Sequence, residues 1–86
     1  MTDSMPVFDI FDGITISIFS NDHLPPHCHV QYAEWEALID IRKVTVYAGS
    51  LPRTQLRKAL AYIQIAKNQE ELLEAFYQLN PRIKRL

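Results

Sequence analysis

The sequence is poor in several things, and each shortage excludes a class of protein. It has one cysteine, Cys28, so no internal disulfide framework exists, and a reducing compartment is the expected setting. It has two glycines and five prolines, too few for a low-complexity segment or a Gly-rich phosphate loop. No apolar run approaches a membrane span. Met1 to Met5 carry Asp3 and no basic stretch ahead of an apolar one, so no signal peptide is expected. These absences lead to an expected cytoplasmic location without membrane association. No lysine or arginine occurs before Arg42.

That last shortage makes the charge lopsided. The nine Lys and Arg all follow residue 41, whereas seven of the ten acids precede it, in a chain of net charge −1. Such a division suits a polyanion or protein partner, and equally a neutral molecule with internal ion pairs. Hydrophobic content of 48% and charged content of 22% are those of a globular domain. The 86 residues support one domain, with a core over about residues 5–79 and a basic tail over 80–86.

Period-two alternation dominates the first half. Val7–Asp12 and Ile14–Phe19 flank Asp12-Gly13, a hairpin signal, and Ile14, Ile16 and Ile18 share one face. Ser20–Pro26 reads as a loop, because two consecutive prolines do not fit a central strand. A third strand runs from His27 to Tyr32, with His27, His29 and Gln31 on one face and Cys28, Val30 and Tyr32 on the other. Trp35–Ile41 alternates again after an Ala33-Glu34 turn, with Trp35 as a core or interface anchor. Val44–Ala48 is a short fifth strand ended by Gly49-Ser50. From Pro52 the period becomes helical through Leu56, Ala59, Leu60, Ile63 and Ala66, with Asn68 ending or bending that helix. A second helix runs from Gln69 to Leu79, with Glu70 and Glu71 in its first turn, and Asn80-Pro81 stops it. The expected fold is α+β: an antiparallel sheet of four to five strands followed by two C-terminal helices packed on one face.

All three histidines lie within seven residues, in Asp22-His23-Leu24-Pro25-Pro26-His27-Cys28-His29. His27 and His29 project from the same strand face, and His23 comes from a loop that the prolines stiffen. Three readings follow. The imidazoles can hold a divalent metal of zinc type, with Asp22 or Asp40 completing the set. They can act without metal as an acid and base, as in cleavage of RNA through its 2′-hydroxyl. They can also simply brace a loop or dock a partner. Alternation turns Cys28 to the core, away from any nucleophilic or metal role. Arg53 and Arg57, with Lys58, are candidate phosphate contacts on the first helix, whose ordinary role is a solvated face. Glu36 and Asp40 share a strand face, and Tyr32, Tyr47 and Tyr62 are scattered residues expected at the core edge.

The segment Ser20-Asn21-Asp22-His23-Leu24-Pro25-Pro26-His27-Cys28-His29-Val30, with the Trp35–Ile41 strand, Gly49-Ser50-Leu51 and Asn68-Gln69-Glu70-Glu71-Leu72, resembles domain-of-unknown-function family 4160. The likeness runs over about residues 5–79, and its specific part is the acidic-His-x-Pro-Pro-His-x-His core. Cys28 stands where an aliphatic residue is usual, and Ala33-Glu34-Trp35 where many members have a Gly-rich turn. The resemblance implies a small bacterial protein, the toxin side of a toxin–antitoxin-type pair, with a cognate antitoxin-like small protein as partner. Its histidines map onto His23, His27 and His29. If the protein is an enzyme, the expectation is a ribonuclease: His27 or His29 as base or acid, His23 as counterpart, and Asp22, Arg53 and Arg57 on the substrate. The alternative is a non-catalytic protein- or metal-binding module using the same loop. An exposed edge strand would also allow a homo-oligomer.

Overall fold

The computed structural model describes residues 7–85. The reading of Met1–Met5, the first residues of the expected core and Leu86 of the tail lie outside the described residues. Five strands form one antiparallel sheet in sequence order: β1 Val7–Phe11, β2 Ile14–Ser17, β3 His27–Tyr32, β4 Trp35–Asp40 and β5 Thr45–Ser50. Two helices follow, α1 Arg53–Gln64 and α2 Ala66–Leu79, and they pack together. No helix among the described residues is long and apolar enough to cross a membrane.

The turns explain the meander. Asp12 and Gly13 both have positive φ (51° and 75°), the requirement of a two-residue turn that matches strand twist. Ala33, at φ 52°, turns β3 into β4 so that Tyr32 faces Trp35. The β4–β5 turn is built by Asp40, whose Oδ1 accepts the backbone N–H groups of Arg42 and Lys43 at 2.9 Å each. Asp40 is thereby committed to this turn.

One sheet face carries Ile14, Ile16, Cys28, Val30, Ala37 and Ile39, all fully buried against Ala59 and Ile63 of α1 and Leu72 and Phe76 of α2. Each large apolar side chain so buried contributes about 1.5–3 kcal/mol. Cys28 faces this core, as its alternation with the histidines predicts. Burial pushes its thiol up to about 12. The folded protein is therefore expected to resist thiol-specific alkylation at pH 8, with one equivalent of reagent taken up only after denaturation. Rapid labelling of the native chain, followed by colorimetry or mass spectrometry, would contradict this burial.

Several boundaries differ from the sequence reading. The helical break falls at Ile65 (ψ 123°) rather than Asn68, which lies inside α2 and donates from Nδ2 to the Tyr62 carbonyl at 3.0 Å. Glu70 and Glu71 consequently stand past the first turn of α2. Trp35, expected as a core or interface anchor, is 41% exposed at the β3–β4 turn and so lies outside the core. The fifth strand continues through Gly49 to Ser50. Gly49 has φ 75°, and a Cβ there would fall 2.3 Å from the Glu36 carbonyl oxygen, so only glycine fits. The basic tail is not free throughout. Ile83 packs against the core, and Arg85 pairs with Glu70 at 2.8 Å, holding that carboxyl below its usual range. Lys58 reaches Asp12 at 3.2 Å, joining the acidic first half to the basic second.

Candidate metal centre

The cluster forms where the β2–β3 loop enters β3. Pleating puts His27 and His29 on the same side of β3, with ring centroids 5.4 Å apart. The loop brings Asp22 between them: its Oδ2 lies 3.0 Å from His27 Nε2 and 3.3 Å from His29 Nε2. Three ligand atoms, one each from Asp22, His27 and His29, lie within 4.8 Å of one another.

Each ring is oriented through its other nitrogen. His27 Nδ1 lies 2.7 Å from the Pro25 carbonyl, which only accepts, so Nδ1 carries a proton. His29 Nδ1 faces Glu36 Oε2 at 3.2 Å. His23 Nδ1 donates to the Leu24 carbonyl at 3.0 Å. All three imidazoles therefore spend Nδ1 on a neighbouring acceptor and turn Nε2 toward one carboxylate. For His23 the distance is 3.8 Å, to Asp22 Oδ1.

Asp22 is itself fixed. Its Oδ1 accepts the His23 backbone N–H at 3.0 Å, which leaves Oδ2 for the two strand histidines. Its backbone N–H donates to Asn80 Oδ1 at 2.6 Å. Asn80, buried just past α2, donates from Nδ2 to the carbonyls of Phe19 (3.0 Å) and Phe76 (2.8 Å). One amide thus ties the loop to the helix end. Phe19 stacks on the His29 ring with centroids 3.9 Å apart.

The sequence candidates are placed as follows. His27 is 1% exposed, while the side chains of His29 and Asp22 are 15% and 14% exposed, so the cluster meets solvent through His29 and Asp22. His23 is 68% exposed and stands at the rim, outside the three-ligand group. Asp40, the alternative to Asp22, is the turn former described above. Arg53 and Arg57 are exposed on α1, which covers the sheet face opposite His29, so neither is placed to serve the cluster. The physical reason is the alternation of β3: Cys28 and Val30 face the helices and His29 faces away, while His27, at the start of the strand, meets only the end of α2 through Phe76 (ring centroids 5.9 Å).

Three residues of the site escaped the sequence reading. Strand alternation pairs Glu36 only with Asp40. Asn80 looked like a helix stop, and nothing local signals its reach to a loop 58 residues away. Tyr47, expected at the core edge, has its ring 5.5 Å from His27 and 6.4 Å from His23. A glycine inside a strand is the one hint of a bulge there. A shallow cavity of about 290 Å³ opens beside His29, lined also by Glu36, Leu38, Ala48 and Gly49.

Ser17 is opposite His29 in the ladder, is fully buried, and its hydroxyl has no hydrogen-bond partner among the described residues.

No curated protein and no solved structure matches the chain. Residues 13–77 match the model of a domain of unknown function, DUF4160. The match takes in Asp22 and all three histidines but stops short of Asn80. Covering most of the sequence, it makes this chain a member of the DUF4160 family.

Proposed function

We propose that this chain is a divalent-metal-binding domain in which Asp22, His27 and His29 hold a transition-metal ion of zinc type. One observation carries the reading: two Nε2 atoms face the same carboxylate oxygen, while the corresponding Nδ1 atoms are already engaged. A neutral imidazole has one proton, and in His27 that proton is on Nδ1. Its Nε2 lone pair then faces an oxygen lone pair, an arrangement that calls for a cation between them or a second proton on the ring. Donors held about 2.0–2.2 Å from one ion at tetrahedral or octahedral angles stand roughly 2.8–3.6 Å apart. The spacings of 3.0 and 3.3 Å fall in that interval. The acceptors behind the Nδ1 atoms, a backbone carbonyl and a carboxylate, are those that usually orient metal-bound histidines. His23, exposed beside Asp22 with its Nε2 3.8 Å from Oδ1, stands outside this ligand set.

The test is elemental analysis of protein purified without a histidine tag, followed by titration of the chelator-treated protein with zinc. About one equivalent of bound ion supports the reading. Absence of both native metal and a saturable titration refutes it. Glu36→Gln is expected to weaken zinc binding about tenfold with the fold retained, because Glu36 is half-exposed and acts through His29. Competition with a chromogenic chelator measures this.

The family resemblance supplies a setting for such a domain: the toxin member of a bacterial toxin–antitoxin-type pair, in the cytoplasm, bound by an antitoxin-like small protein. Metal-free cleavage of RNA by His23, His27 and His29 has less behind it, since His27 is sealed from solvent. Incubating a short RNA with the metal-loaded and metal-free protein separates the two. Cleavage without metal would favour the acid–base reading, and intact RNA in both would leave a binding module.

A further inference from the structure

The edge strand β5 breaks its ladder at one residue. Leu38 pairs with Ala48 and Ile39 with Val46, so Tyr47 is left over as a bulge. A bulge gives up regular pairing and re-aims the extra side chain, a device common beside functional sites. Here the ring is delivered to the histidines, beside His27 and near His23. The edge is held in this shape by Gly49, which approaches the backbone of Glu36, the same residue that orients His29. Tyr47 is 44% exposed. Its hydroxyl has no protein partner among the described residues, so ordinary core packing does not account for its position.

We propose that Tyr47 is the ligand-facing residue of the metal centre. The ion keeps a coordination position open toward solvent, that position takes an anionic ligand, hydroxide or an oxyanion, and the Tyr47 hydroxyl hydrogen-bonds the bound anion. This rests on the metal reading above. Three protein ligands leave an open position on an ion of zinc type, the arrangement of sites that bind exogenous groups rather than of closed structural ones. Two neutral imidazoles and one carboxylate leave a divalent ion with one net positive charge, which makes an anion the favoured guest. Asp22 and His29 are the members of the set that reach solvent, and Tyr47 stands beside His27 and His23, the neighbours of Asp22. A phenol there offers a neutral donor that does not repel an anion.

The test uses the full chain loaded with cobalt(II), whose visible spectrum reports coordination, and azide as the anion probe. The expected result is a saturable spectral change with azide. Tyr47→Phe should retain cobalt affinity and weaken azide about five- to tenfold, the loss of one hydrogen bond. Leu24→Ala, at an exposed loop residue, should leave azide binding unchanged. A cobalt spectrum indifferent to azide overturns the open position. Equal azide affinity in Tyr47→Phe overturns the role of the phenol. Loss of cobalt affinity in Tyr47→Phe overturns it too, since Tyr47 would then be a ligand itself. If cobalt gives no bound spectrum before any azide is added, the metal reading has failed and this inference falls with it.

Discussion

Asp22→Ala is expected to abolish the proposed zinc or cobalt binding, with affinity falling on the order of 100-fold or more, while the sheet and helices persist. Asp22 contributes the one anionic oxygen that both strand histidines face. Without it two imidazoles remain, too few donors to compete with water for an ion of zinc type. The fold tolerates the change because the Asp22 backbone N–H still reaches Asn80 and the side chain packs into no part of the core. Asp22→Asn is the companion variant: it keeps shape and one acceptor oxygen but lacks charge, and should bind between the two extremes. Isothermal titration reads the affinity, and far-UV circular dichroism checks the fold. An Ala variant that binds zinc as the parent does would remove Asp22 from the ligand set.

Asn80→Ala combines two losses. Its amide makes three hydrogen bonds, to the Asp22 N–H and to the carbonyls of Phe19 and Phe76, in a buried position. Truncation leaves these groups unpaired where water reaches them poorly, at an expected cost of about 2–4 kcal/mol in denaturant unfolding. Metal affinity should also fall about tenfold, because the loop that presents Asp22 loses its anchor. The two readouts separate the roles. Lost stability with unchanged zinc affinity would mean that Asn80 only finishes α2.

Much of this architecture could be read from residue patterns, where the governing interactions are local. Asp12-Gly13 specified a tight hairpin because few other pairs accept positive φ twice in succession. The isoleucines at 14, 16 and 18 identified a buried face, and the same alternation placed Cys28 inward and His27 and His29 together. Where distant parts of the chain meet, local pattern fell silent. Val44–Ala48 looked like a regular strand, and its shape depends on how β5 meets Glu36 and Ala37 across the ladder. Asn68 carries a helix-ending signal, yet the break comes one turn earlier, where Ile65 turns out to solvent and Asn68 adds a second donor to the Tyr62 carbonyl. Charge suggested that Arg53 and Arg57 support the histidines, but charge says nothing of which sheet face a helix covers. Three clustered histidines suggested three equal partners. Side-chain reach decided otherwise: the short tether of Asp22 inserts a carboxylate between two of them and leaves His23 at the rim.

The Asn80 clasp also imposes an order on biosynthesis. Each strand pairs with its immediate predecessor, so the meander can grow as the ribosome releases it, whereas the clasp waits for a residue translated 58 positions after Asp22. A nascent sheet would carry its histidines without the carboxylate locked between them. The loop that carries Asp22 thus gains its last anchor only when the second helix has docked.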